Sequence, residues 1–310
     1  MAVVFGGRSG EHEVSCWSAE AIIQNLNRGK YQIFPVKIEK NGKFDLEKML
    51  GCDVIFPIIH GTYGEDGSLQ GLLEMYDKPY VGAGVLGSAV GMDKDVQKRL
   101  LMQAGIPVAK YQVVYKGEKA RVEKYPVFVK PANMGSSVGV GKVDNETNLK
   151  EAMDTAFLYD TKILVEEVVV GREMEMSVLG GRRPQASVAG EVIPKGHEFY
   201  DYEAKYIDET GATLVIPARV KNEELDDLKR TAIKAFVTLC CFGMARVDMF
   251  LTKSGVVLNE INTLPGFTNI SMYPKLWETF GLSYTLLLDR LVELALERQE
   301  SKKKLRRSYV

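Results

Sequence analysis

At 310 residues the chain has the length of about two ordinary domains. Hydrophobic residues at 45% and charged residues at 26% match a globular enzyme with a large core, and exclude disordered and fibrous classes. Lys and Arg (40) against Asp and Glu (41) leave a net charge of -1, without the basic surplus of a nucleic-acid binder.

The amino terminus enters a strand directly, and no apolar run is long enough to cross a bilayer. Cys16, Cys52, Cys240 and Cys241 form no CxxC pair, and only His12, His60 and His197 could join them, so no zinc site is expected. They read as buried free thiols in a reducing compartment, which predicts a cytoplasmic protein with no membrane partner.

In chain order, strands are expected over 2–5, 31–38, 53–60 and 79–81, with helices over 15–27 and 68–75. This alternation implies a parallel sheet with covering helices. The small-residue stretch 82–91 reads as a boundary. A helix over 93–104 stops at Gly105 and Pro107. Strands follow over 111–115, 127–130 and 140–143, then a helix capped by Asp144 or Asn145, and a strand over 163–170. Two more strands cover 173–179 and 186–193. The polar, aromatic stretch 194–212 has the length of a lid or binding loop. An amphipathic helix over 222–241, a hairpin over 244–262 and helices over 274–280 and 283–298 complete the chain. The basic tail 302–307 reads as a frayed helix end.

The hairpin carries the strongest chemical signal. A three-residue loop Lys253-Ser254-Gly255 places Asp248 opposite Glu260 and Arg246 opposite Asn262, all on one face. Oxygen ligands of this kind suit magnesium, with substrate phosphates completing the shell. A two-residue loop would shift the register and break this opposition.

Lys130 ends an apolar strand and precedes Asn133-Met134-Gly135-Ser136-Ser137-Val138-Gly139, whose small residues let backbone N–H groups approach phosphates. No Gly-Lys-Ser/Thr follows, so this is not a Walker A loop, and an ordinary turn is the competing reading. Lys94 alone would be a solvated lysine. Glu166 and Glu173 could accept hydrogen bonds from a ribose or an adenine amino group, or be edge-strand acids facing water. Near the amino terminus, Gly6-Gly7-Arg8-Ser9-Gly10-Glu11 is an incomplete dinucleotide turn. The Glu11 carboxylate competes with phosphate at the helix start and suits an ammonium. His60 closes a buried strand where α/β sheets bind ligands, or is structural.

Together these blocks resemble the D-alanine–D-alanine ligases of the ATP-grasp superfamily. The matching pieces are GGRSGEHEVS (6–15), HGTYGEDGSLQG (60–71), MDK (92–94), VKPANMGSSVGVGKV (129–143), YDYEAKY (200–206), ARVD (245–248) and NEINTLPGFTNIS (259–271). The chain begins closer to the first glycine turn than is usual for the family, and Leu264 stands where relatives often carry a polar residue.

The resemblance implies a three-domain α/β ATP-grasp architecture. An amino-terminal, Rossmann-like parallel-sheet domain (1–83) would be followed by a central domain (84–170) and a carboxy-terminal domain (171–310), the latter two sandwiching ATP. Lys94, Lys130, Ser137, Glu166, Glu173, Lys205 and Asn259 would bind ATP. Asp248, Glu260 and Asn262 would hold two Mg2+ ions, with Mn2+ as a substitute. Glu11, with Ser136 and Tyr206, would take the first D-alanine. Ser271 and Tyr202, near Lys205, would take the second. Arg246 and the Gly266 N–H would stabilise an oxyanion, and His60 would assist proton removal. A cytoplasmic homodimer using D-alanine and ATP is implied. A D-alanine–D-lactate ligase is the rival, disfavoured by an intact Tyr206. A nucleotide binder without catalysis is disfavoured by the complete phosphate and metal set.

Overall fold

The computed structural model describes residues 1–194 and 211–306. Three sheets organise it. The first is parallel, in the order β2-β1-β3, built from β1 (Ala2–Gly6), β2 (Phe34–Ile38) and β3 (Ile55–Pro57). Strands β1 and β3 are apolar because both their faces are covered, with Val3 and Val4 wholly buried, whereas the edge strand β2 buries only Val36. Helix α1 (His12–Asn25), the short α2 (Leu46–Leu50) and α3 (Ser68–Met75) connect and cover these strands.

The stretch 82–91, expected as a mere boundary, is instead largely helical. Helix α4 (Val85–Met92) runs through it and is followed at once by α5 (Lys94–Gln103). The two are separated by Asp93, whose carboxylate accepts the N–H groups of Asp95 and Val96 as the N-cap of α5. The glycines Gly87 and Gly91 masked α4 in sequence. They sit where a Cβ would meet the Cys240 carbonyl at 2.4 Å and Thr263 at 2.5 Å, so close packing decides them.

The second sheet is antiparallel, ordered β4-β7-β5-β6, from β4 (Tyr111–Tyr115), β5 (Val127–Pro131), β6 (Gly141–Val143) and β7 (Lys162–Glu167). Helix α6 (Leu149–Ala156) covers one face over a small core that includes Val114, Val129 and Val165. The third sheet has the order β10-β9-β8-β11-β12, with β8 (Arg172–Gly180), β9 (Gln185–Pro194), β10 (Ala212–Val215), β11 (Gly243–Thr252) and β12 (Gly255–Asn262). The strand β10 begins at Ala212, where the stretch read as a lid or binding loop ends, and positions 195–210 of that stretch lie outside the described residues. Helix α7 (Asn222–Thr238) packs its Leu228, Ala232, Ala235 and Phe236 face on this sheet.

Helix α8 (Met272–Phe280) packs on β8 and β9, and α9 (Tyr284–Lys303) packs on α1, which covers the first sheet. A single core joins Val3 and Phe56 of that sheet with Ile22 of α1 and with Phe267, Trp277 and Leu291 near the carboxy terminus. Each such large side chain contributes about 1.5–3 kcal/mol on burial, so the two ends of the chain form one body. Several strand and helix ends differ from expectation by two or three residues, where capping and fraying decide. The largest difference is α9, which runs to Lys303 instead of 298. The cysteines carry no disulfide, but Cys240 is exposed and Cys16 half-buried, so only Cys52 and Cys241 are buried thiols. Among the described residues no helix is long and apolar enough to cross a membrane.

Candidate functional site

The site begins with the hairpin of β11 and β12. Its turn has two residues, Lys253 and Ser254, and Thr252 pairs with Gly255. The register is therefore one residue away from expectation at the turn, and Met249 faces Leu258. A β-bulge at Asn259 then inserts one residue, so that Asp248 faces Glu260 and Arg246 faces Asn262 after all. Burial shows why the bulge is there. Val256, Leu258 and Ile261 are buried, while Asn259 and Glu260, adjacent in sequence, both border the cleft. Regular alternation would have sent one of them into the core.

Across the sheet Asp248 also pairs with Glu175 of β8, which puts three carboxylates in one row over three strands. Arg246 compensates them. Its guanidinium donates two 2.7 Å bonds to Asp248 and lies 3.0 Å from Glu175. Asn262 donates its amide to Asp248 at 3.0 Å, which orients the side-chain amide and leaves its carbonyl oxygen as a donor for a cation. Hard oxygen donors on neighbouring strands suit magnesium or manganese. Among the described residues no group of three or more His, Cys, Asp or Glu side chains forms a cage by itself. The donor set therefore fits an ion whose remaining ligands are phosphates and water.

Facing the hairpin are the lysines. Lys94, at the start of α5, reaches the Met134 carbonyl at 2.7 Å and Glu260 at 3.4 Å. Lys130, from β5, lies 3.1 Å from Glu166 of β7. The same carboxylate oxygen lies 3.2 Å from Lys98, a residue of α5 that is 1% exposed. Burial raises the Glu166 pKa, but the Lys130 and Lys98 charges outweigh it and hold the carboxyl below its ordinary value. Burial is the largest influence on Lys98 and depresses its pKa.

Between the two antiparallel sheets lies a cavity of about 370 Å³. Lys94, Lys130, Ser136 and Ser137 line it together with the apolar Phe128, Val169, Met249 and Phe250. With cationic, hydroxylic and apolar walls, it has the size and polarity of a nucleotide pocket. Glu166, Glu173 and Asn259 also border it. Ser136 and Ser137 both adopt left-handed backbone (φ 49° and 59°), a conformation that non-glycine residues hold only at some cost.

A smaller cavity of about 50 Å³ adjoins it and shares Lys94, Ser136 and Glu260 as walls. Glu11, His60, Arg246, Asn262 and Gly266 line the rest. The Glu11 carboxylate accepts the Ser136 hydroxyl and packs between Gly61 and Gly135. A Cβ at either glycine would meet that carboxylate at 2.8 or 3.0 Å, so a larger residue there would displace the Glu11 carboxylate. His60 is 4% exposed; its Nε2 is 3.1 Å from the Ser18 hydroxyl and its Nδ1 3.8 Å from Glu65. Burial lowers the imidazole pKa, but the Glu65 and Glu11 carboxylates prevail and raise it. Gly266 is held by its neighbours. Phe267 is wholly buried against Phe56, Tyr273 and Tyr284, and a Cβ on Gly266 would lie 2.9 Å from the Ser271 hydroxyl. Ser271 in turn accepts the Thr268 N–H at 2.9 Å.

Of the residues singled out in sequence, the structure thus gathers Glu11, His60, Lys94, Lys130, Ser136, Ser137, Glu166, Glu173, Arg246, Asp248, Asn259, Glu260, Asn262 and Gly266 around two joined cavities. Ser271 stands behind Gly266. Tyr202, Lys205 and Tyr206 lie outside the described residues. Sequence reasoning missed Lys98 and Glu175; only their positions, one helical turn after Lys94 and one strand period after Glu173, could have pointed to them.

Family models match both parts of this arrangement. One described as "D-ala D-ala ligase N-terminus" covers residues 1–51 and 45–83, and one described as "D-ala D-ala ligase C-terminus" covers residues 100–293. The chain belongs to the D-alanine–D-alanine ligase family. Within this ligase family, the D-alanine--D-alanine ligase of Oceanobacillus iheyensis is 46% identical, over 99% of this chain and 98% of its own length. D-alanine--D-alanine ligase A of Escherichia coli is 45% identical over 96% of both. Among solved structures, the D-alanine-D-alanine ligase from Coxiella burnetii superposes with a TM-score of 0.87 at 36% identity, covering 98% of this chain and 95% of that one. The ligase from Bacillus anthracis complexed with ATP superposes at 0.84 with 28% identity, over 97% and 98% of the two chains. The expected α/β ATP-grasp fold, with an amino-terminal parallel sheet followed by two further sheets, is the fold observed.

Proposed function

We infer that this chain joins two D-alanines into D-alanyl-D-alanine, a precursor for peptidoglycan, at the expense of ATP. The observation that carries the reading is the junction of the two cavities. A nucleotide-sized pocket lined by Lys94 and Lys130 shares its Lys94, Ser136 and Glu260 wall with a smaller pocket that has a carboxylate, Glu11, on one wall and Arg246 on another.

ATP lies in the larger cavity, its base against the apolar walls and its phosphates at Lys94, Lys130 and the Ser136–Ser137 loop. Glu166, Glu173, Lys205 and Asn259 complete the ATP set. Two magnesium ions at Asp248, Glu260 and Asn262, with manganese as a substitute, would supply charge neutralisation for the phosphates. The first D-alanine places its ammonium on Glu11, whose carboxylate is fixed by Ser136, with Tyr206 completing the network. Its carboxylate attacks the γ-phosphorus, a P–O bond to ADP breaks, and an acyl phosphate forms. The second D-alanine, held at Ser271 and Tyr202, attacks the acyl carbon with its free amine. The tetrahedral oxyanion collapses and expels phosphate. Arg246 and the Gly266 N–H are the donors for that oxyanion, each worth about 3–4 kcal/mol. His60 assists proton removal. The loop over 194–212 keeps water from the acyl phosphate. The same reading divides the chain into domains at 1–83, 84–170 and 171–310 and makes it a cytoplasmic homodimer.

Phosphate release with ATP, magnesium and D-alanine, and a dipeptide by mass, is the expected result; L-alanine gives neither. D-lactate and D-serine in parallel arms test the second substrate. Release that needs D-lactate or D-serine as well would move the activity to a related ligase, and silence with ATP bound would leave only nucleotide binding.

A further inference from the structure

Lys98 has no task in the reaction outlined above, yet it is a fully buried lysine, and burying an ammonium is costly without a partner. Its Nζ lies 3.2 Å from Glu166, 3.5 Å from the Asn259 carbonyl and 5.9 Å from the centre of the Tyr111 ring. Glu166 is itself 3% exposed and borders the larger cavity, whereas Lys98 does not border it. We propose that Lys98 is a positioning residue that sets the preference for the nucleotide base, by keeping Glu166 an ionised, acceptor-only group facing the base. The proposal rests on the reading of the larger cavity as the ATP pocket.

The two lysines on Glu166 are not equivalent. Lys130 lines the same cavity as Ser136 and Ser137, so a triphosphate bound there competes with Glu166 for its charge. Lys98 is sealed from the cavity and remains on the carboxylate whatever occupies the pocket. The groups that face Glu166 are Lys98 from α5, Lys130 from β5 and Tyr111 from β4, with Glu260 of β12 near Lys98. Without Lys98, a nucleotide that draws Lys130 away leaves a buried carboxylate with no cationic partner, and such a group takes up a proton. An ionised carboxylate accepts from the exocyclic amino group of adenine. A protonated one donates, which suits the carbonyl of hypoxanthine instead.

The test compares ATP with ITP in the full chain carrying Lys98→Met, which keeps the length and removes the charge. Binding is measured by calorimetry with magnesium, and kcat and KM by ligation. The expected result is a fall in the ATP-to-ITP ratio on the order of tenfold, carried by the nucleotide KM, with the D-alanine KM unchanged. The ratio recovers as pH is raised and Glu166 ionises again. Equal weakening of ATP and ITP at every pH would reduce Lys98 to a structural residue and overturn the proposal. Lys98→Gln carries the same comparison if the methionine variant does not fold. Glu166→Gln, whose amide both donates and accepts, should flatten the ratio as well. If it leaves the ratio intact, Glu166 does not meet the base, and the error lies in the placement of the nucleotide instead of in Lys98. Calorimetry reads all of this even without ligase turnover.

Discussion

His60 shows how one residue's setting can be turned into a measurement. Its imidazole is buried, which favours the neutral form, yet Glu65 and Glu11 raise its pKa above the ordinary 6.5. A raised folded pKa adds stability that is complete below the unfolded value and is lost as pH rises through the folded value. Glu65→Gln keeps an acceptor for the Gly61 N–H, which donates to Glu65 at 2.7 Å, and removes the charge. Burial should then dominate. The His60 titration followed by NMR should move below its wild-type midpoint, and the variant should lose stability mainly below about pH 6.5. An unmoved midpoint would mean that Glu65 does not set the charge of His60. Sequence placed His60 at the end of a strand but could not say which carboxylates fold around it. Lys98 was hidden for a related reason. A lysine on an amphipathic helix normally reaches water, and only the tertiary approach of β7 and β12 buries this one.

At the scale of elements, the hairpin was legible through two features that offset each other. The face shared by Arg246, Asp248, Glu260 and Asn262 follows from strand periodicity, and the turn is one residue shorter than expected. The bulge at Asn259 restores the face, and nothing in the composition of 255–262 marks it except two polar residues in succession. Helix α4 escaped detection because its glycines answer to packing against Cys240 and Thr263 instead of to propensity. The junction of α4 and α5 depends on Asp93, which caps α5 and pairs with Lys162 of β7 at 2.6 Å. Burial lowers the Lys162 pKa, but Asp93 and Asp95 outweigh it and raise it. Asp93→Ala should lose both the cap and the pair, about 2–4 kcal/mol in all. Asp93→Asn, which keeps a capping oxygen, should lose clearly less. Urea unfolding of both variants would order them, and equal losses would show that the cap contributes nothing separate. Since Lys94 is the next residue, Asp93→Ala should also raise the KM for ATP.

At the scale of the whole molecule, several separate cores surround one site. The first sheet and the carboxy-terminal helices share a core, while the four-stranded sheet has its own, smaller one. What crosses the cleft among the described residues includes charge contacts, such as Lys94 to Glu260 and Ser136 to Glu11. On the proposed reading a nucleotide with its metal would lie between Lys130 on one sheet and Asp248 and Glu260 on the other, so binding should tie the small core to the rest. At a ligand concentration a hundredfold above Kd the native state gains ~2.7 kcal/mol. With an unfolding entropy of about 2.1 cal/mol/K per residue, a chain of 310 residues should show a rise in Tm on the order of 4 °C. The rise should require ATP and magnesium together and disappear with a chelator. Glu260→Gln should leave the unliganded Tm nearly unchanged, because Glu260 borders the cleft, and should abolish most of the magnesium-dependent part. It should also cripple turnover at limiting magnesium. A full Tm response in that variant would remove Glu260 from the metal site and leave Asp248 and Asn262 to hold the ion alone, which two donors on adjacent strands do poorly.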